Sequence, residues 1–193
     1  MKKIVIILLN CILSFGSNAQ TTEPKNELRI KSSVMGSVIY PGFRLGTEKV
    51  YQYKYPEMTK KWAYMEKSIG LNTGMYHHKT FHTNYFITAE WQSRKFYPNG
   101  LFIDSSLGFG GSRTILDGNV YIVSDDGHVS QKECQTYNYG LITLGGSIGY
   151  TFCYNNKIQA MTFLKPSILF MFPYNSLAFL RPVVELGFAV DLF

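Results

Sequence analysis

The sequence predicts an all-β protein: a closed, antiparallel, up-and-down transmembrane β-barrel of eight strands. Three observations carry this. Alternation with period two recurs in segments of ten or more residues bounded by turn residues, whereas helical periodicity is poor throughout. After the first nineteen residues no stretch approaches the roughly 20 consecutive apolar residues of a spanning helix. The alternating segments carry ionic side chains on one face and large apolar ones on the other, and they outrun the five or six residues usual for soluble strands.

Met1-Lys2-Lys3 opens a basic stub, Ile4 to Leu9 and Cys11 to Phe15 form an apolar stretch, and Ser17-Asn18-Ala19 stands before Gln20. This is the layout of an export signal over residues 1–19, leaving 20–193 as a single barrel domain. Leu9-Asn10 lack the small residue a lipid-anchored Cys11 needs, so the leader is read as simply cleaved.

Strands are expected at residues 27–39, 43–54, 64–77, 80–97, 100–116, 137–153, 158–172 and 178–193. Tyr40-Pro41-Gly42 reads either as the turn between the first two or as a kink in one longer strand. The clearest alternation sets Phe81, Thr83, Tyr85, Ile87, Ala89 and Trp91 against His82, Asn84, Thr88, Glu90, Gln92 and Arg94. Pro98-Asn99-Gly100 turns the chain, its glycine supplying positive φ. Leu101, Ile103, Leu107 and Phe109 then alternate with Asp104, Ser106, Gly108 and Gly110.

Between about Leu116 and Thr136 two turn signals, Leu116-Asp117-Gly118-Asn119 and Asp125-Asp126-Gly127-His128, flank Val120 to Val123 and predict a small protruding hairpin. The acidic turn lacks the later ligands of a calcium loop, so it is read as a plain turn. Ile142, Leu144, Ile148, Tyr150 and Phe152 alternate with Thr143, Gly145, Ser147, Gly149 and Thr151, and turns at Tyr154 to Lys157 and Pro173 to Ser176 bound the next strand. In the last strand Val184, Leu186, Phe188, Val190 and Leu192 share the apolar face. Tyr76, Trp91, Phe96, Tyr97, Tyr137, Tyr139, Tyr150, Tyr154, Phe172 and Tyr174 gather near strand ends, as aromatic girdles at two headgroup layers would.

Two of the 19 basic residues lie in the leader, so 17 face 13 acidic ones and the processed chain carries +4. That mild excess suits anionic headgroups. The chain lacks the basic and aromatic blocks of a nucleic-acid binder, and no nucleic-acid partner is expected. Cys134 and Cys153 fall at opposite ends of one strand, tens of ångströms apart at about 3.3 Å per residue, too far to bridge.

These strands and short turns, with the leader and a terminal Phe193, resemble the small outer-membrane β-barrel proteins of Gram-negative bacteria, in the style found in the Bacteroidota. Phe193 departs from that pattern by sharing the parity of Ala189 and Asp191. The resemblance implies an outer-membrane location with both termini and the short turns on the periplasmic side. It also implies membrane lipid and lipopolysaccharide as surroundings, a further outer-membrane or extracellular protein as a candidate partner, and no cofactor.

The same parity points Arg44, Glu90, Arg94, Asp104, Glu185 and Asp191 inward as an ionic network. Eight strands leave an interior that side chains just fill, so these charges need one another. Pro41-Gly42-Phe43-Arg44-Leu45-Gly46 echoes Pro182-Val183-Val184-Glu185-Leu186-Gly187, which places Arg44 and Glu185 at similar height and predicts that they pair. His77, His78 and His82 cluster at an outward turn as candidate metal or haem ligands, although His77 and His78 point to opposite faces. His82 with Glu90 is the candidate catalytic pair of a lipid A-modifying enzyme, but Thr83 beside it has the other parity, which separates hydroxyl from base.

The expected function is therefore a non-enzymatic integral membrane barrel with a charged, plugged interior, structural or accessory in role and not a wide pore. The alternatives are the lipid A-modifying enzyme and a soluble periplasmic lipocalin-like barrel, in which the two faces would be inverted.

Overall fold

The structure, a computed structural model, describes residues 28–37, 40–55, 62–118, 121–124, 126–131, 135–154, 158–174 and 177–192. The leader, Cys134 and Phe193 lie outside them, as does the side chain of Cys153. Each alternating segment of the sequence forms a strand: β1 (Leu28–Ser37), β2 (Tyr40–Lys54), β3 (Tyr64–His78), β4 (His82–Phe96) and β5 (Leu101–Leu116), then β8 (Thr136–Tyr154), β9 (Ile158–Tyr174) and β10 (Leu177–Leu192). These eight close into a barrel in the order β1-β10-β9-β8-β5-β4-β3-β2. All neighbours are antiparallel, and closure comes from β1 against β10, from Leu28↔Leu192 to Gly36↔Val184.

The segment between β5 and β8 contains a separate two-stranded hairpin, β6 (Tyr121–Val123) with β7 (Val129–Gln131). Its turn is tight: Gly127 N–H donates to the Ser124 carbonyl at 2.8 Å, and His128 N–H to Asp126 Oδ1 at 3.2 Å.

Tyr40-Pro41-Gly42 is neither the turn nor a kink. Tyr40 and Pro41 already pair with Ser37 and Gly36, so the chain reverses before Tyr40 and two strands are present. In β2 the register shifts between Val50 and Gln52, a bulge that reverses the alternation after Val50, so that Gln52 is exposed and Tyr53 packs partly inward.

Sidedness is set by strict alternation. Val34, Ile148, Leu186 and Phe188 face out, Val34 and Leu186 being 63% and 61% exposed, while Glu90 and Asp104 are buried inside. A soluble lipocalin-like barrel needs the reverse, an apolar interior and a polar exterior, and that reading is not supported by this arrangement. Several of the aromatic residues assigned to girdles also point inward, among them Tyr139, which packs against the cluster around Tyr76. Tyr76 and Phe96 share the parity of Asn72 and Arg94, and they cap the lumen instead of coating it. Tyr76 joins Phe86, Leu141, Leu169 and Met171 near the end bearing the β6–β7 hairpin, and Phe96 joins Tyr64, Phe102, Met161 and Ala189 near the short-turn end.

The β4–β5 turn needs its glycine. Gly100 has φ of 84°, its N–H closes onto the Tyr97 carbonyl at 3.0 Å, and an added Cβ would meet the Tyr150 ring at 3.0 Å. Gly127 has φ of 81° but lies in the separate hairpin with nothing within 4 Å of its Cβ position. Gly100→Ala is therefore expected to lower barrel stability by about 1–2 kcal/mol, the usual cost of left-handed backbone for an L-residue. Gly127→Ala should leave the barrel unfolding midpoint unchanged. Urea unfolding in detergent micelles compares the two.

Candidate functional site

Because every second residue of each strand enters the lumen, charges spaced two apart on neighbouring strands stack into a column. Among the described residues six cations are enclosed, Arg29, Lys31, Arg44, Arg94, Lys165 and Arg181, with six carboxylates, Glu48, Glu66, Glu90, Asp104, Glu185 and Asp191.

Arg94 is the hub of the lower layer. Its Nη1 lies 2.7 Å from Glu66 Oε1 and 3.1 Å from Glu48 Oε1, and its Nε is 3.3 Å from Asp104 Oδ2. The guanidinium also stands 5.1 Å from the buried Phe102 ring. Arg29 joins the same acids: its Nη2 donates to Glu66 Oε2 at 3.0 Å, and its Nε contacts Asp191. Ser68 donates to Glu48 at 2.7 Å, and Asp104 Oδ1 accepts the Ser147 backbone N–H at 3.0 Å.

One level up, Glu90 holds Lys165 and accepts from Asn72 Nδ2 at 3.0 Å, while Lys31 Nζ sits 3.1 Å from Glu48 Oε2 and 3.2 Å from Gln92 Oε1. Above that, Arg44 Nη1 lies 3.1 Å from Glu185 Oε1, and Ser33 and Ser167 donate to the same carboxylate at 3.2 and 3.3 Å. The void among these residues is about 20 Å³, room for roughly one water.

The six residues expected in the ionic network all lie in the lumen, and Arg44 and Glu185 are brought together. Arg29, Lys31, Glu48, Glu66, Lys165 and Arg181 belong to the same interior and were not singled out from the sequence. Their signal is the same parity: Arg29 and Lys31 alternate with Leu28 and Ile30, and Lys165 stands between Leu164 and Pro166.

The histidines separate. His78 and His82 lie at the mouth, with ring centroids 6.0 Å apart, whereas His77 faces outward, its Nδ1 3.0 Å from Thr83 Oγ1 and 3.8 Å from Asp117 Oδ2. The three do not form one ligand set, and among the described residues no group of three or more His, Cys, Asp or Glu could hold a metal ion. Nor do His82 and Glu90 meet: eight residues of β4, about 26 Å at 3.3 Å per residue, separate them, and Glu90 is engaged by Lys165. Thr83 and Asp117 approach the same nitrogen of His77, so that ring cannot relay a proton from one to the other.

No protein-family model and no curated protein matches the sequence. Among solved structures the chain is similar to the N-terminal β-barrel domain of Pseudomonas aeruginosa OprF, at 12% identity and a TM-score of 0.40 over 88% of this chain and 100% of that one. It is also similar to Neisserial surface protein A, at 12% identity and a TM-score of 0.47 over 86% and 94% of the two chains. Yersinia pestis Ail aligns at 14% identity and a TM-score of 0.35, over 87% of this chain and 100% of that one.

Removing a hub should cost more than weakening an edge. Arg94→Met leaves three enclosed carboxylates short of their cation and is expected to lower stability by about 3–5 kcal/mol. Arg44→Glu alone should be destabilising too, and adding Glu185→Arg should recover a measurable part of that loss. Denaturant unfolding of the four proteins reads both effects, and a double variant no better than Arg44→Glu would refute the pairing.

Proposed function

We propose that this chain is an integral outer-membrane β-barrel with a plugged interior, acting as a structural or binding component and not as a wide pore. The observation that carries the reading is the sidedness of the wall. A continuous coat of Val34, Leu71, Ile87, Ile148, Leu164 and Leu186 faces out around the cylinder, and hydrogen-bonded ion pairs fill the inside. Such a coat in water would be an aggregation hazard, and in a bilayer it is the ordinary lipid-facing band. Full closure leaves the barrel sheet no free edge, which is what a spanning sheet requires.

The small void and the two aromatic clusters around Tyr76 and Phe96 support the plugged interior of this reading. In this reading the short turns and both termini face the periplasm, and the β6–β7 hairpin projects outward. Tyr121, Val123 and Val129 are exposed on that hairpin, a surface for an outer-membrane or extracellular protein. The Bacteroidota style of the sequence and the cleaved leader belong to the same proposal. No lipid A chemistry is assigned, because His82 and Glu90 stand apart; deletion of the protein should leave the lipid A mass spectrum unchanged.

The decisive test substitutes the outward wall. Leu186→Arg places a charge midway along β10 on its exposed face, and in lipid vesicles it should cost about 2–4 kcal/mol of unfolding free energy. At an exposed position on a water-soluble barrel the same change stays within about 0.5 kcal/mol. A neutral result, together with recovery from the soluble periplasm without detergent, would refute the membrane assignment. Planar-bilayer recordings should show no large, steady conductance.

A further inference from the structure

One enclosed cation is built differently from the rest. Arg181 on β10 is 6% exposed, yet it has no carboxylate partner among the described residues, and its Nε and Nη1 are buried without a hydrogen bond. It is set apart from the ionic column by rings. Arg44, the uppermost paired cation, stands 5.2 Å from the Phe86 centroid; Phe86 lies 6.4 Å from Tyr76, and Tyr76 carries Arg181 on its other contact.

The guanidinium is caged by its faces. It lies 4.3 Å from the ring centroids of both Tyr40 and Tyr76, and 5.3 Å from that of Phe179. Cation–π contacts of this kind act on the flat faces of the group, whereas all five N–H donors lie in its plane and point outward from its edge. The cage therefore holds and orients the guanidinium without using its hydrogen-bonding capacity. Two further donors stand against the same cage. The His78 ring is 4.9 Å and the His82 ring 5.7 Å from Tyr40, and His82 is 6.3 Å from Tyr76. Asp117, on the neighbouring segment, pairs at 3.8 Å with the outward-facing His77.

Two unbonded guanidinium nitrogens on a clamped group beside two imidazoles, at the hairpin end of a closed cylinder, are donors waiting for an acceptor. A carboxylate offers two oxygens confined to the plane of the guanidinium fork, whereas a phosphate carries further oxygens out of that plane that can meet the imidazoles as well. We propose that the mouth of the barrel binds a phosphate-bearing anion, held by the edge of Arg181 and by the ring N–H groups of His78 and His82. The inference requires the closed barrel and stands whether or not that barrel sits in a membrane. Phosphate on a lipid headgroup and phosphate free in solution offer the same oxygens, so the source is decided by experiment.

The test uses the full chain folded in detergent micelles, titrated with inorganic phosphate against chloride at constant ionic strength. The arginine Nε–Hε and histidine ring resonances are followed, and the Arg181 signal is assigned by its loss in Arg181→Gln. Phosphate should produce a saturable shift of the Arg181, His78 and His82 signals that chloride does not. Arg181→Gln should weaken phosphate binding by about tenfold to a hundredfold, as expected for lost hydrogen bonds to a charged group. Arg181→Lys, which keeps the charge but loses the fork, should fall between. A non-saturating shift, an equal response to chloride, or unchanged binding in Arg181→Gln overturns the proposal. If Arg181→Gln does not fold, the phosphate-against-chloride comparison on the native sequence decides alone. Nanodiscs containing bisphosphorylated lipid A, compared with dephosphorylated lipid A, then name the source. The same shift without free phosphate identifies the headgroup, and a shift seen only with inorganic phosphate identifies a soluble anion.

Discussion

Charges sealed inside a cylinder of eight strands have little besides one another for company, and the rest of the structure is arranged around that constraint. Arg94 contacts three carboxylates because Glu48, Glu66 and Asp104 arrive at its height from β2, β3 and β5. Each of those residues is placed by strand register, and a one-residue slip anywhere would turn an acid toward the outside and an apolar side chain toward the guanidinium. The ionic column therefore acts as a ruler for the sheet. The aromatic caps at either end, around Phe86 and Phe102, shield the column from solvent and so raise both the strength of its pairs and the penalty for breaking one.

Much of this is legible in the sequence because a barrel wall is a two-letter pattern. Alternation alone locates the strands to within a few residues and assigns Glu90, Arg94, Asp104 and Glu185 to the lumen. It falls short where the pattern is locally broken. The bulge after Val50 shifts parity at the end of β2 and hides Glu48 as part of a regular face. Pro166 argues against a central strand and so masks Lys165 beside it; the β8–β9 pairing does skip the residues opposite these two. In β1, Ser32 and Ser33 are polar on both faces, which blunts the alternation that marks Arg29 and Lys31.

Aromatic residues mislead for a separate reason. A tyrosine or phenylalanine near a strand end is equally at home in a headgroup girdle and in a plug, and composition does not distinguish them. Parity does: Tyr76 and Phe96 follow their ionic neighbours inward, while Trp91 follows Ile87 outward, where its indole N–H donates to Tyr51 at 2.5 Å. The histidine cluster is resolved by the same rule. Adjacent residues in a strand cannot share a site, and His77 and His78 are divided by the wall itself.

The seam between β1 and β10 has a consequence for how the molecule is made. The two strands that seal the ring are the first and last of the described chain, so every shorter nascent piece is an open sheet with two raw borders, each able to zip onto a stranger. Closure is thus all-or-none and waits for the final strand. Until it arrives the polypeptide depends on being held apart from its own kind.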